Sequence, residues 1–245
     1  MFSIFNKSFK SSKVISFESL KTDMHSHLVP AIDDGSPNIE TSVSLAKQLH
    51  DLGFQKLITT PHVMSDFYKN TPNTINNGLE AIQKATKTNS KVPEIMAAAE
   101  YLVDFEFESK LENKQAFLTF GLNYILIETS FISAPPNFDD IIFKLQVNGY
   151  TPVLAHPERF LFLTPKDYES LKSRSVLFQI NALSLVGYYG RAVQQRAELL
   201  ISKNMIDFVG TDCHNKVQAD LYSQCFTNKH WHRLIESGFL KNHQL

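Results

Sequence analysis

The sequence predicts an α/β protein built as a closed barrel of parallel strands alternating with helices. Two observations carry this expectation. Short apolar runs and helix-like segments alternate along the 245 residues, and almost every run ends in, or is followed within two residues by, histidine or a carboxylate. The runs are residues 21–27, 56–60, 94–99, 124–128, 152–155, 177–180 and 206–210. Several are continuously apolar rather than alternating, as expected of parallel strands buried on both faces.

The first helix is predicted over residues 39–52. There Val43, Leu45, Ala46, Leu49 and Leu52 fall at helical spacing, and Gly53 follows as a C-terminal stop. Residues 72–88 and 138–148 also read as helices, the second closed by Gly149. Residues 192–203 are rich in strong helix formers. Strands alternating with helices imply a parallel barrel or a doubly wound sheet. The loop over residues 61–72 is long for a strand-to-helix connection, and such loops often serve as lids or binding loops.

Composition narrows the function. The formal net charge is -1 and no basic stripe occurs, so nothing pulls the chain toward nucleic acid. Two cysteines, Cys213 and Cys225, rule out a disulfide scaffold and suit a reducing cytoplasm. No apolar run approaches the roughly 20 residues of a membrane helix. The opening MFSIFNKSFK lacks the apolar stretch and cleavage site of a signal peptide. Residues 1–20 are expected to be a flexible tail, with at most a transient membrane-surface or partner-docking role, and residues 21–245 the folded domain.

The strand ends carry His25 and His27, then His62, Glu100, Glu128, His156, and finally Asp212 and His214. The sixth run ends in Gln179-Ile180-Asn181, which is polar but holds no strong ligand. Barrel enzymes place catalytic groups at the C-terminal ends of their strands. A flat sheet gathers only the strands at its switch point, so this many ends favour a barrel. His25 and His27 are two apart and share one face of an extended strand. Imidazole and carboxylate without thiolates suit Mn²⁺, Fe or Zn²⁺. A cluster of such ions is equipment for hydrolysing a phosphate ester. Arg159 has the donor geometry for phosphate oxygens, with an ion pair to Glu158 as its bland alternative.

Cys213 lies between two candidate ligands and should face away from them. Neither cysteine begins a C-x₅-R loop, since Ala219 and Trp231 stand where the arginine would be. A thiolate phosphatase is therefore disfavoured. His50, His230, His232 and His243 read as packing or surface residues. Tyr188 and Tyr189 read as packing residues, with stacking on an aromatic substrate as the alternative.

The segments DMHSHLVPAIDDG (23–35), TTPH (59–62), AAAEYLVD (97–104), LIETS (126–130), TPVLAHPER (151–159) and GTDCHN (210–215) resemble the PHP (polymerase and histidinol phosphatase) superfamily. Within it the chain is most similar to the bacterial CpsB/CapC/YwqE-type tyrosine-protein phosphatases. The resemblance implies a PHP-type distorted (β/α)7 barrel, TIM-like, with the metal site at the C-terminal ends of the strands. It implies that His25, His27, Asp34, His62, Glu100, Glu128, His156, Asp212 and His214 hold two or three divalent ions, Mn first, with Fe or Zn as alternatives. Asp33 would be the lesser ligand of the Asp33-Asp34 pair, and Arg159 would grip the phosphate. The implied activity is cytoplasmic hydrolysis of phosphotyrosine on the tyrosine-rich tail of a kinase that regulates capsule or exopolysaccharide synthesis. The alternatives are a small-molecule phosphatase of the histidinol-phosphate kind and a non-catalytic metal-binding docking protein. One departure stands out. Where the family often carries a basic residue and prolines after the final HN, this chain reads Lys216-Val217-Gln218-Ala219-Asp220, which leaves Lys216 as the candidate for that role.

Overall fold

Each expected apolar run becomes a strand path in the computed structural model, which describes residues 13–87, 89 and 91–245. The strands are β1 (Thr22–Asp23), β2 (Lys56–Thr59), β3 (His62–Val63), β4 (Glu94–Ala97), β5 (Glu100–Leu102), β6 (Tyr124–Glu128), β7 (Thr151–Ala155), β8 (Leu177–Asn181) and β9 (Phe208–Gly210). They pair in parallel as β1-β2-β4 and β3-β5-β6-β7-β8-β9.

The second and third paths are each broken by a bend, between β2 and β3 and between β4 and β5. They stay bonded through it: Ala98 N donates to Thr59 O at 2.9 Å and Glu100 N to Pro61 O at 3.1 Å. The last path returns to the first. Asp212 N donates to His25 O at 2.7 Å, and His27 N to Cys213 O at 2.9 Å. The sheet therefore curls on itself, as the barrel expectation requires.

Period-two alternation sorts the strand residues into two layers. Ile58, Ala98, Leu126, Val153, Ala155 and Phe208 form one small buried cluster with Met24 and Phe120. Their neighbours Leu57, Ile125, Ile127, Leu154 and Val209 join the larger core formed with the helices. Stepping by two from the first set leads to Glu100 from Ala98, to Glu128 from Leu126, and through Gly210 to Asp212 from Phe208. The fold thus aims the end-of-strand carboxylates into the barrel mouth.

The helices are α1 (Ile39–Asp51), α2 (Pro72–Thr86), α3 (Phe105–Glu112), α4 (Phe138–Val147), α5 (Pro165–Ser173), α6 (Arg191–Ser202), α7 (Lys216–Leu221) and α8 (Lys229–Glu236). α1, α2, α4 and α6 match expectation. The other four are short, and each starts at a side-chain cap: Asp104, Thr164, Asn215 and Asn228.

The expected tail needs correction at its inner end. Residues 1–12 lie outside the described residues. Residues 17–19 form a 3₁₀ turn whose Phe17 is wholly buried, as is Leu20. The Phe17 ring stacks on Phe54 at 4.8 Å and meets Trp231 edge-on at 5.3 Å. Trp231 Nε1 donates to Ile15 O at 2.7 Å. Folded structure thus begins before residue 20, because two large apolar side chains there would otherwise stand in water. No helix among the described residues is long and apolar enough to cross a membrane.

Candidate metal centre

His25 and His27 follow β1 and turn their rings to one point, with Nε2 atoms 3.2 Å apart. Two carboxylates meet them there. Glu100 Oε2 lies 3.2 Å from His25 Nε2 and 3.4 Å from His27 Nε2, and Asp212 Oδ1 lies 3.3 Å from both. Beside this group His62 Nδ1 stands 3.0 Å from Glu100 Oε2 and 3.1 Å from Glu128 Oε1. His156 Nε2 reaches Glu100 Oε1 at 3.0 Å. Towards solvent, Asp34 Oδ1 lies 3.6 Å from His62 Nε2 and 3.5 Å from His214 Nε2. All nine expected ligands are brought together. They form three overlapping groups, His25/His27/Glu100/Asp212, His62/Glu100/Glu128 and His27/Asp34/His62/His214, with His156 on Glu100. Glu100 belongs to two of them, as a bridging carboxylate would.

The donor set fits divalent cations. Buried polar atoms are normally hydrogen-bonded, yet His62 Nδ1, Glu100 Oε2 and Glu128 Oε1 make no such bond. His62 Nδ1 stands 3.0 Å and 3.1 Å from the two oxygens without hydrogen-bonding geometry. Burial should raise the Glu100 and Asp212 carboxyls, but the surrounding imidazoles, His25 foremost, hold both well below the ordinary range. Burial likewise opposes charge on His62, and Glu100 overcomes it, lifting the imidazole to about 10. A concentrated negative field lined by imidazole nitrogens is what a cluster of divalent ions requires.

A second layer of side chains holds these groups in place. Asp33 is buried, and its Oδ2 accepts from His27 Nδ1 at 2.8 Å, so Asp34 alone of that pair faces the cluster. Gln179 Oε1 accepts from His25 Nδ1 at 2.8 Å. Its Nε2 donates to Asn181 Oδ1 at 2.8 Å, and Asn181 Nδ2 donates to Asp212 Oδ2 at 2.7 Å. Sequence reasoning set Gln179 and Asn181 aside because neither is a strong ligand. The signal was their spacing, two apart on one face at the end of β8. Gly210 is required beside them, since a Cβ there would stand 2.6 Å from His25 Cβ and 2.8 Å from Gln179 Nε2. His156 and Asp212 adopt left-handed backbone, φ 32° and 55°. Strain of that kind persists only where the surroundings enforce it.

The cluster floors a cavity of about 420 Å³, walled by Arg159, Tyr68, Phe131, Tyr188 and Tyr189 among others. Arg159 Nη1 donates to Asp212 Oδ2 at 3.1 Å. Its guanidinium is sandwiched between Phe131, 4.6 Å from the ring centroid, and Tyr189, at 4.5 Å. Glu158 is not its partner. That side chain is buried, accepting from Asn181 N at 2.9 Å and Ser184 Oγ at 2.7 Å. Tyr188 and Tyr189 prove to be cavity wall rather than packing alone. Lys216 lies outside the cavity, exposed and bonded to Asp220 at 2.8 Å, while Asn215 and Gln218 line the wall near it. Cys213 is wholly buried, and burial pushes its thiol up to about 12. His50 Nδ1 bonds Phe54 O and His232 Nε2 bonds Phe226 O, both away from the cluster.

Known proteins resemble this chain to differing degrees. The chain is 29% identical over 204 residues to the tyrosine-protein phosphatase YwqE of Bacillus subtilis (strain 168), covering 82% of this chain and 80% of that protein. It is 25% identical over 209 residues to the tyrosine-protein phosphatase CpsB of Streptococcus pneumoniae, covering 82% and 86%. A structure from the crystallographic study of YwqE and CpsB, described as unique metal-dependent tyrosine phosphatases, superimposes with a TM-score of 0.77 at 28% identity over 90% of this chain and 94% of that one. A histidinol phosphate phosphatase from Lactococcus lactis superimposes with a TM-score of 0.52 at 14% identity, a likeness of fold. Residues 21–227 match the family model for capsular polysaccharide synthesis, CpsB/CapC, and the chain belongs to that family.

Proposed function

We propose that this chain is a metal-dependent protein-tyrosine phosphatase that removes phosphate from tyrosine on a protein partner, the tyrosine-rich tail of a kinase controlling capsule or exopolysaccharide synthesis. The observation that carries the reading is the convergence of nine imidazole and carboxylate side chains beneath Arg159 at the mouth of the barrel. We assign His25, His27, Glu100 and Asp212 to one ion, Glu100, Glu128 and His156 to a second, and Asp34, His62 and His214 to a third. Divalent ions, when bound, supply Lewis acidity and a nucleophile at neutral pH. Mn²⁺ is the first choice for this oxygen and nitrogen donor set.

The chain's own groups do the rest. Arg159 binds the phosphoryl oxygens with the N–H donors that Asp212 leaves free. Phe131 and Tyr189 fix the plane of its fork, so little side-chain freedom is lost when phosphate arrives. Gln179 and Asp33 hold His25 and His27 with Nδ1 protonated and Nε2 turned inward. Cys213 takes no part. The functional unit runs from the Phe17 turn through residue 245, and its setting is the cytoplasm, in keeping with two free buried cysteines. The test is metal analysis of the purified protein together with phosphotyrosyl-peptide hydrolysis. Stoichiometric metal and peptide turnover support the proposal, and metal-free protein with full turnover contradicts it.

A further inference from the structure

The walls of the cavity differ in kind from its floor. Tyr68, Phe131 and Tyr188 reach it from three separate connections, after β3, β6 and β8. The Tyr68 ring lies nearly parallel to the His62 imidazole, 12° between planes and 5.6 Å between centroids. The Phe131 ring lies 6.0 Å from His156 at 25°, and it also meets the buried Phe160 at 5.6 Å. Tyr188 stands edge-on to Tyr189 at 4.9 Å. Phe131 is 51% exposed and Tyr188 42%. Single exposed aromatics are ordinary on a protein surface. Three converging over one polar floor, two of them against candidate metal-binding imidazoles, make a built rim.

We propose that Tyr68, Phe131 and Tyr188 form an aromatic collar that selects aryl over alkyl phosphate monoesters. The inference rests on the phosphatase reading above. In an aryl ester a single oxygen joins the ring to phosphorus. A phosphoryl group seated between His62 and His156 therefore carries the ring of its leaving group up between these walls. Offset or edge-to-face contact with them is available to an aryl group and unavailable to a short alkyl chain. Phe131 serves twice, as collar and as the support beneath Arg159. A ratio between two ligands of equal charge separates the roles, because the hold of Arg159 on phosphate is common to both.

The experiment measures calorimetric binding of benzylphosphonate and methylphosphonate to the full, Mn²⁺-loaded protein, with phosphotyrosyl-peptide turnover read on the same samples. Wild type should bind benzylphosphonate about tenfold tighter. Phe131→Ala and Tyr188→Ala should each cut that ratio about fivefold, the size of one aromatic contact. Tyr188→Phe should retain it. A wild-type ratio near one, or a ratio unchanged in both alanine variants, overturns the collar. Turnover of the peptide with a ratio near one leaves the phosphatase reading standing without the collar. The predicted ratio without peptide turnover overturns the phosphatase reading instead.

Discussion

Gln179 Oε1 lies 2.8 Å from His25 Nδ1, although His25 follows the first strand and Gln179 stands on the eighth. The bond fixes which nitrogen of His25 carries the proton and leaves Nε2 to face Glu100 and Asp212. Outer partners of this kind tune metal affinity without touching the ion. Gln179→Leu should therefore weaken Mn²⁺ binding by about 10- to 100-fold while the far-ultraviolet spectrum stays that of the folded protein. A metal titration measures it, and wild-type affinity in the variant would remove Gln179 from the site.

Arg159 separates phosphate chemistry from metal binding. Loss of one charge-stabilising donor of this type costs on the order of a hundredfold in kcat. Arg159→Ala should show that loss with metal content unchanged, since arginine is no ligand. Arg159→Lys should recover little, because an ammonium reproduces neither the paired donors nor the stacking between Phe131 and Tyr189. Wild-type kinetics in the alanine variant would exclude Arg159 from phosphate binding.

The thiol of Cys213, pushed up to about 12 by burial, stays protonated at neutral pH. Cys213→Ser should keep kcat within about tenfold, whereas loss of a covalent nucleophile costs several orders of magnitude. Trapping of a phosphocysteine after acid quench would contradict this.

Removing residues 1–20 deletes the buried Phe17 and Leu20 side chains. Each is worth about 1.5–3 kcal/mol of burial, so the truncated protein should unfold at clearly lower urea than the full chain. Equal midpoints would restore the reading of the whole segment as a loose tail.

How much of this was legible in the sequence differs by element. Eight of the nine candidate ligands are legible because parallel strands put their last residues at one mouth, and HxH or ETS after an apolar run is visible one-dimensionally; Asp34, in a loop, is supplied by the family resemblance alone. The strands β3 and β5 are not legible: residues 62–63 fall in the segment that reads as a loop and residues 100–102 lie beyond the run 94–99, since a bend after Thr59 and another after Ala97 follow from curling the sheet rather than from local propensity. The helix α5 carried a readable start, Thr164-Pro165 with Asp167 closing a capping box, but its nine residues are too few to show a strong apolar period. Phe17 was misjudged because its partners, Phe54 and Trp231, lie far along the chain. Gln179 and Asn181 escaped for a different reason: an amide that orients a ligand looks like any polar residue until its partner's ring nitrogen is located. The placement of Lys216 against Asp220 is an ordinary i,i+4 pair, visible in sequence once α7 is known.

One shared cluster beneath Arg159 binds metal and makes the site a phosphatase. His27 is the residue to change, because its Nε2 faces Glu100, Asp212 and His25 together. The measurement is metal content by mass spectrometry and phosphotyrosyl-peptide turnover on the same preparations of wild type and His27→Ala. Wild type should hold two or three ions per chain and turn over the peptide. His27→Ala should stay folded, hold fewer ions and lose at least about a thousandfold in kcat/KM, as expected when one member of a set that acts as a unit is removed. Unchanged metal content with wild-type turnover in His27→Ala would contradict the account.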